Sequence, residues 1–233
     1  PENLTGFTDS ETQEQIEELL EKLCYQYKYD DRNRLVEKKI PGKGWESIVY
    51  DKLDRPVLTQ DAVQKTQQKW NFTKYDNLGR VVYTGIYTHD LEKSQAQMQS
   101  HFNALNATAE KLYETKVSTG TGFDGTYYTK DHFPDRNLEV LTVNYYDDYD
   151  FDRAGGPTTV NAYGVNSTTN LKGLATGSRI KVLDQSPQKW MTTVTYYDEK
   201  ARPIYTYSHN AYLETTDIVE HDLDAFTGRL EAS

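Results

Sequence analysis

Tyr75-Asp76-Asn77-Leu78-Gly79-Arg80-Val81-Val82 decides the reading of this chain, because three other segments repeat its plan. They are Tyr29-Asp30-Asp31-Arg32-Asn33-Arg34-Leu35-Val36, Tyr50-Asp51-Lys52-Leu53-Asp54-Arg55-Pro56-Val57 and Tyr197-Asp198-Glu199-Lys200-Ala201-Arg202-Pro203-Ile204. Each reads Tyr-Asp, three residues, Arg, then an apolar pair or Pro with an apolar residue. The first three copies start 21 and 25 residues apart, and the fourth follows the third by 122. Self-similarity at such a period marks stacked supersecondary units. It moves the expectation from a single-pocket enzyme toward a scaffold, shell or binding surface.

Most positions of the unit have a physical job. A strand ends at Tyr-Asp, and Asp is favoured at the first position of a type I turn, with Gly at the fourth. Asp76 and Gly79 satisfy both preferences. The fourth position is Asn33 in the first copy and Asp54 in the second, residues that tolerate a left-handed backbone. Ala201 does not fit that explanation, which predicts a different turn in the fourth copy. After the Arg a strand restarts: Val57-Leu58-Thr59, Val82-Tyr83-Thr84 and Ile204-Tyr205-Thr206 align and favour β structure. Pro56 and Pro203 fall where a strand begins, a tolerated position. The repeat Asp and Arg flank the turn and are placed to pair. As an exposed ion pair each is worth ~0.5 kcal/mol and is no catalytic device by itself.

Trp45 and Trp70 each lie five residues before a repeat Tyr, and Trp190 lies seven before Tyr197. Odd offsets put Trp and Tyr on opposite faces of a regular strand. Two uses follow for Trp45, Trp70 and Trp190: packing between neighbouring hairpins, or stacking on sugar rings at a glycan-binding surface. The repeated offsets favour packing, because a column of equal residues is what stacked units need.

The 233 residues suffice for one domain or two with a core. Only 36% are hydrophobic, yet 19 are Tyr, a composition suited to half-solvated sheets. The net charge of −10 argues against nucleic-acid and anionic-membrane partners. One cysteine, Cys24, excludes an internal disulfide framework. No apolar run reaches the ~20 residues of a membrane span. No signal peptide is visible, and the chain opens on Pro1 without Met, so it is expected to be part of something longer whose targeting segment lies elsewhere.

The expected fold is mainly β with two accessory helices, in which consecutive antiparallel β-hairpins of the repeats form an extended, curved sheet. Residues 1–24 form an N-terminal helical segment, with Ser10 and Gln13 as a capping box and Ile16, Leu19, Leu20 and Leu23 as one apolar stripe. Residues 25–87 hold repeats one to three. Residues 88–137 are a helical and loop insertion: a helix from Asp90 to Asn106 with Leu91, Met98, Phe102 and Leu105 on one side, glycines at 120, 122 and 125, then a strand at 126–130. Residues 138–233 are a C-terminal β region with the fourth repeat and a degenerate end. Its strands are expected at 138–146, 179–184, 190–197 and 203–208, with 154–178 rich in loops.

Sharper site readings are weak. Gly120-Thr121-Gly122-Phe123-Asp124-Gly125 matches G-x-G-x-x-G, but a strand-like stretch follows where a dinucleotide site needs a helix, so it reads as a turn. Asp148, Asp150 and Asp152 have the alternate spacing of a Ca²⁺ loop and are weak metal candidates, since Arg153 and Thr159 replace the loop's Gly and closing Glu. His89, His101, His132, His209 and His221 have no metal-ligand spacing. No catalytic residue and no cofactor is assigned. A glycan-active hydrolase using scattered carboxylates stays as a further alternative.

Tyr-Asp-x-x-Gly-Arg followed by a β-strand, at this period, resembles the YD repeats of the RHS repeat family, which includes bacterial polymorphic toxins, insecticidal toxin-complex components and animal teneurins. The resemblance is closest to RHS-repeat proteins of Bacteroidetes. It rests on the stretch from Tyr25 to Tyr87, on Leu141-Thr142-Val143-Asn144-Tyr145-Tyr146-Asp147-Asp148-Tyr149-Asp150-Phe151 and on Val194-Thr195-Tyr196-Tyr197-Asp198. In that family the repeats build hairpins joined edge to edge into a strip that spirals into a hollow shell around a C-terminal cargo, often a toxin. The resemblance implies a non-catalytic structural segment of a secreted or bacterial cell-surface protein. Its partners would be the remainder of a longer RHS-type chain or its cargo domain, and strand edges left open would allow self-association. A closed shell needs many more repeats, and the family's self-cleaving core and variable toxin domain have no counterpart in these residues.

Overall fold

The structure, a computed structural model, describes residues 12–91, 93–107, 112–183 and 185–232. Along the chain run α1 (Gln13–Leu23), β1 (Gln26–Tyr29), β2 (Leu35–Lys39), β3 (Glu46–Tyr50), β4 (Pro56–Gln60), α2 (Ala62–Thr66), β5 (Lys69–Tyr75), β6 (Val81–Thr88) and α3 (Gln95–Leu105). There follow β7 (Leu138–Asp147), β8 (Asn161–Ala162), β9 (Val165–Asn166), β10 (Leu171–Val182), β11 (Lys189–Tyr197), β12 (Pro203–Asn210), β13 (Thr215–Glu220), β14 (Asp222–Leu223) and β15 (Leu230–Ala232). The fold is mainly β. Eleven strands form one antiparallel sheet in the order β1-β2-β3-β4-β5-β6-β7-β10-β11-β12-β13, and β8–β9 and β14–β15 are separate pairs. The four repeat turns join β1 to β2, β3 to β4, β5 to β6 and β11 to β12. The chain divides within β5 into two compact units: residues up to Asn71 with Thr88–Ala107, and Phe72–Tyr87 with the residues from 108 on.

In the first unit, α1 is capped by Thr12. Its hydroxyl accepts the Gln15 N–H, and the Gln15 side chain takes the Thr12 N–H at 2.9 Å. The expected cap Ser10 lies outside the described residues. The predicted stripe of α1 is only partly covered: Leu20 and Leu23 are exposed. Gln26 Nε2 donates to the Leu20 carbonyl at 2.7 Å, and Lys39 Nζ pairs with Glu21 at 3.0 Å, fixing the helix beside β1 and β2.

The second helix starts later than the sequence predicts. Ser94 and Gln97 form a capping box that begins α3 at Gln95 instead of near Asp90. The buried face carries Gln95, Met98 and Phe102, whereas Leu91 and Leu105, expected on it, are exposed. α3 packs on β3 through amides as well as carbons. Gln95 Nε2 donates to the Ile48 carbonyl at 2.8 Å. Gln99 accepts the Tyr50 N–H at 2.9 Å and donates to the Tyr50 carbonyl at 2.8 Å, so one side chain serves both backbone groups of a strand residue. The short α2, not expected from the sequence, starts on a capping box of Asp61 and Gln64.

In the second unit the core is built on tyrosines. Tyr83, Tyr145 and Tyr196 are fully buried among Val82, Val140, Val143, Val194 and Ile204. Tyr145 stacks on Phe151 with centroids 4.2 Å apart and on Tyr128 at 5.7 Å. Gly177 makes room for this stack, since a Cβ there would collide with the Phe151 ring. The Tyr83 hydroxyl bonds Thr126 at 2.5 Å and donates to the Tyr128 carbonyl at 3.2 Å. Burial pushes the Tyr145 and Tyr196 phenols up to about 12, and those of Tyr83, Tyr128 and Tyr149 further.

The segment 112–133 holds to the sheet by the Glu114 N–H to the Tyr75 carbonyl at 2.8 Å, and by a buried ion pair of Lys74 with Glu114 at 2.6 Å. Lys74 also donates to the His132 carbonyl, and Thr129 donates to Glu114, each at 2.5 Å. Burial lowers the Lys74 pKa despite its partner. The strand expected at 126–130 reduces to a single bridge between Lys116 and Tyr128. β10 begins at Leu171, inside the stretch read as loop, and β8, β9, β13, β14 and β15 went unread.

Candidate functional site: the repeated Asp–Arg clamp

The four repeat turns have one geometry. In the third copy the Asp76 N–H donates to the Arg80 carbonyl at 2.9 Å, and the Gly79 N–H donates to the Asp76 carbonyl at 3.1 Å. One carboxylate oxygen of Asp76 accepts the N–H groups of Leu78 at 2.9 Å and Arg80 at 2.8 Å. The other accepts Arg80 Nε at 2.7 Å. The same set recurs at Asp30 with Arg32 and Arg34, at Asp51 with Leu53 and Arg55, and at Asp198 with Lys200 and Arg202. Arg Nε lies 2.7–2.8 Å from its carboxylate in every copy. This is a three-residue hairpin loop: a type I turn, then a left-handed residue that makes a bulge. The bulge shows as a register shift at Tyr29, Tyr50 and Tyr197.

The left-handed residue is Asn33 (φ 58), Asp54 (φ 61), Gly79 (φ 78) or Ala201 (φ 59). The expectation of a different turn at Ala201 is therefore wrong. The Asp198 carboxylate fixes two N–H groups and the guanidinium there, and the backbone follows them at the cost of a strained alanine.

The clamps also differ from the exposed ion pairs expected. The carboxylates of Asp51, Asp76 and Asp198 are 2–6% accessible, and only Asp30 is more open. A buried carboxylate with every bond supplied is a structural unit, costly to break. The Asp30 carboxyl is held below its usual range chiefly by the Arg34 side chain. At Asp198 burial pushes the other way, and the Arg202 N–H and guanidinium outweigh it, so the net shift is down.

Each described second hand of a repeat Arg reaches the next hairpin. Arg34 Nη1 bonds Asp54 at 2.7 Å, joined there by Arg32 at 2.8 Å. Arg80 grips both oxygens of Asp147 at 3.0 and 2.6 Å, which raises the guanidinium pKa and lowers that of Asp147. Arg202 Nη1 donates to the Asp224 carbonyl at 3.1 Å. A tyrosine of the next hairpin closes the joint from its own side. Tyr50 donates its hydroxyl to the Leu35 carbonyl at 2.8 Å, and Tyr146 donates to the Val81 carbonyl at 3.0 Å. In both cases the acceptor directly follows the repeat Arg, whose guanidinium lies over the tyrosine ring, 4.8 Å from it at Tyr50 and 4.3 Å at Tyr146.

A fifth, longer unit escaped the sequence reading. The Asp224 N–H donates to the Arg229 carbonyl, and the left-handed Gly228 (φ 71) donates its N–H to the Asp224 carbonyl, both at 2.9 Å. The Asp224 carboxylate caps the Phe226 and Thr227 N–H groups. The signal was present as Asp224-Ala225-Phe226-Thr227-Gly228-Arg229, one residue longer than the other copies and preceded by Leu223 instead of Tyr.

The other candidate residues fall elsewhere. Trp70 and Trp190 are on the face opposite Tyr75 and Tyr197, as the offsets predict, but both are buried and cannot offer a ring face to a sugar. Trp45 precedes β3 and is half-buried, with Lys28 Nζ 4.2 Å from its ring. Asp148, Asp150 and Asp152 do not converge on a metal. Asp148 pairs with Lys116 and caps the Asp150 N–H, and Asp152 faces Arg179 at 3.5 Å. Among the described residues no group of three or more His, Cys, Asp and Glu is arranged to hold a metal ion. A cavity of about 350 Å³ beside the third clamp is lined by Asp76, Arg80, Glu114, Lys116, Asp147 and Asp148, all engaged in the ion pairs above. Gly120–Gly125 is a turn leading to the Lys116–Tyr128 bridge, with no helix after it. No described helix is long and apolar enough to cross a membrane.

No family model matches the chain, and no curated protein matches it. Solved structures do. A TcdB2-TccC3-TEV structure is 14% identical over 88% of this chain, with a TM-score of 0.24. The Photorhabdus luminescens Tc holotoxin pore carrying the TccC3 mutation D651A is 12% identical over 88%, also at 0.24. TcdB2-TccC3 alone is 13% identical over 86%, at 0.24. This chain spans 12% of the length of each of these chains. A likeness of that size carries no argument about function.

Proposed function

We propose that this chain is a non-catalytic wall segment: a run of clamped β-hairpins from a larger RHS-type secreted or cell-surface protein, forming part of a shell or scaffold that encloses or presents a cargo domain. The observation that carries the reading is the fourfold recurrence of one Asp–Arg turn, its carboxylate buried in three of the four copies, with Arg34, Arg80 and Arg202 each bonded to the next hairpin. The motif's polar chemistry is spent on backbone and on neighbouring hairpins, which is how a side chain is used when the product is a surface. The YD-repeat resemblance supplies the shell and the cargo.

The experiment is limited proteolysis of the native polypeptide that carries this segment, followed by imaging of the resistant particle. The expected result is a resistant β wall that includes residues 25–232 and shields another part of the polypeptide. A polypeptide with no shielded part, or a hydrolase activity lost on Glu114→Gln or Asp147→Asn, would overturn the proposal.

A further inference from the structure

Two connections of the strip in the first unit build a cavity of about 310 Å³ that the clamps do not use. One is the turn between β2 and β3, with Lys43 and Gly44. The other is α2, which interrupts the path from β4 to β5. Gly44 lets the two close on each other, since a Cβ there would collide with that of Ala62. Ile48 of β3 gives the cavity its apolar patch, while its neighbours Ser47 and Val49 are the buried residues of that strand. Thr59 of β4 faces Ile48 in the strand register, and Asn71 of β5 stands beside Thr59.

The polar groups around this patch are held in place by one another. Gln64 Nε2 donates to Asn71 Oδ1 at 2.8 Å, and Gln64 Oε1 takes the Asp61 N–H at 3.0 Å. Asn71 Nδ2 stays 3.3 Å from Gln64 Oε1 and 3.5 Å from Thr59 Oγ1, long bonds that a closer acceptor would replace. Two ammoniums and two carboxylates balance. Glu46 pairs with Lys43 and with Lys38 at 2.9 Å, and Asp61 is the second acid. Lys43 first, and Lys38 next, hold the Glu46 carboxyl below its usual range. A ligand with a net charge would meet as much repulsion as attraction. A neutral molecule whose groups each donate and accept would find both answers in the amides, the Thr59 hydroxyl and the charged groups. The volume falls at the lower end of small-ligand pockets, about 300–1,000 Å³. We propose that this cavity binds one neutral sugar residue, with its C–H face on Ile48 and its hydroxyls on Asn71, Thr59 and Lys43. The site is separate from the wall reading, since its walls belong to two connections and not to the clamps.

The test is an NMR titration of the whole isotope-labelled 233-residue chain with glucose, galactose, mannose and N-acetylglucosamine. It is read at the side-chain amide signals of Gln64 and Asn71. At least one sugar should shift both signals saturably, with the millimolar affinity of a single ring. Asn71→Ala at an exposed position and Thr59→Val in a strand are both tolerated by the fold, so the rest of the spectrum should stay in place. Each should weaken binding, read at Gln64, by about fivefold or more. Sorbitol, an open-chain polyol, and the charged rings glucuronate and glucosamine should bind more weakly than the best neutral ring. No saturable shift with any of the neutral sugars, an affinity unchanged in both variants, or tighter binding of sorbitol or of a charged ring would each overturn the proposal.

Discussion

Arg80 grips Asp147 with both terminal nitrogens, at 3.0 and 2.6 Å, while its Nε stays on Asp76 at 2.7 Å. One guanidinium thus closes the turn between β5 and β6 and ties that turn to the end of β7. Planar, permanently charged and five-pronged, it can do both at once; a lysine at 80 could not. The same division of labour at Arg34 and Arg202 makes the repeat Arg the joint of the sheet as well as the clasp of its own hairpin.

Removing a clamp carboxylate should cost more than a surface ion pair. Asp76→Asn leaves an amide N–H against Arg80, and with Asp76 buried the loss should be about 2–3 kcal/mol in urea unfolding. Asp51→Asn should behave alike. Asp30→Asn, at the more open first clamp, should cost clearly less.

Ala201 sits at φ 59, where Gly79 sits in the third copy. Ala201→Gly removes the strain of a left-handed alanine and adds chain entropy to the unfolded state. The net should be neutral to stabilising by about 1 kcal/mol. Gly79→Ala should destabilise by about 1 kcal/mol or more, read as thermal midpoints of the two variants against the parent chain.

The Lys74–Glu114 pair is buried and ties segment 112–133 to β5 within the second unit. Lys74→Met alone should cost about 3–5 kcal/mol by stranding a buried carboxylate. Lys74→Met with Glu114→Gln should cost less than the two single changes summed. A double-mutant cycle by denaturant unfolding measures the difference.

Stability should fall at both ends of the pH range. Asp30, Asp147 and Asp198 have folded pKa values below their unfolded ones, so the unfolded chain binds more protons in acid. Their contribution is complete above about pH 4 and is lost as pH falls through the lower folded values. Tyr145 and Tyr196 are raised to about 12, so their contribution is complete below the unfolded value of about 10 and is lost as pH rises toward 12. Thermal midpoints between pH 2 and 12 would trace both limbs (the range set by those ordinary and shifted values).

The repeat turns were legible in sequence because their chemistry is local: Asp, Arg and the left-handed residue lie within five positions and need nothing distant. Ala201 was misread because propensity was weighed without the carboxylate that overrides it. The fifth unit hid behind one inserted residue and the Leu223 in place of Tyr. The tertiary contacts were not legible. Which face of α3 is buried depends on Gln95 and Gln99 meeting the β3 backbone, polar partners that a search for apolar periodicity passes over. The fates of Trp70 and Trp190 were open for the same reason, since alternation assigns a face without saying what covers it.

The central claim is that Tyr-Asp-x-x-x-Arg is one clamp made four times. The most direct measurement is the exchange rate of the Arg Nε–H protons of Arg34, Arg55, Arg80 and Arg202 by NMR. The account predicts four slowly exchanging, hydrogen-bonded signals, each lost when the Asp of its own unit becomes Asn while the other three persist. Signals that exchange as fast as those of a free arginine, above all at Arg202 beside Ala201, would contradict it.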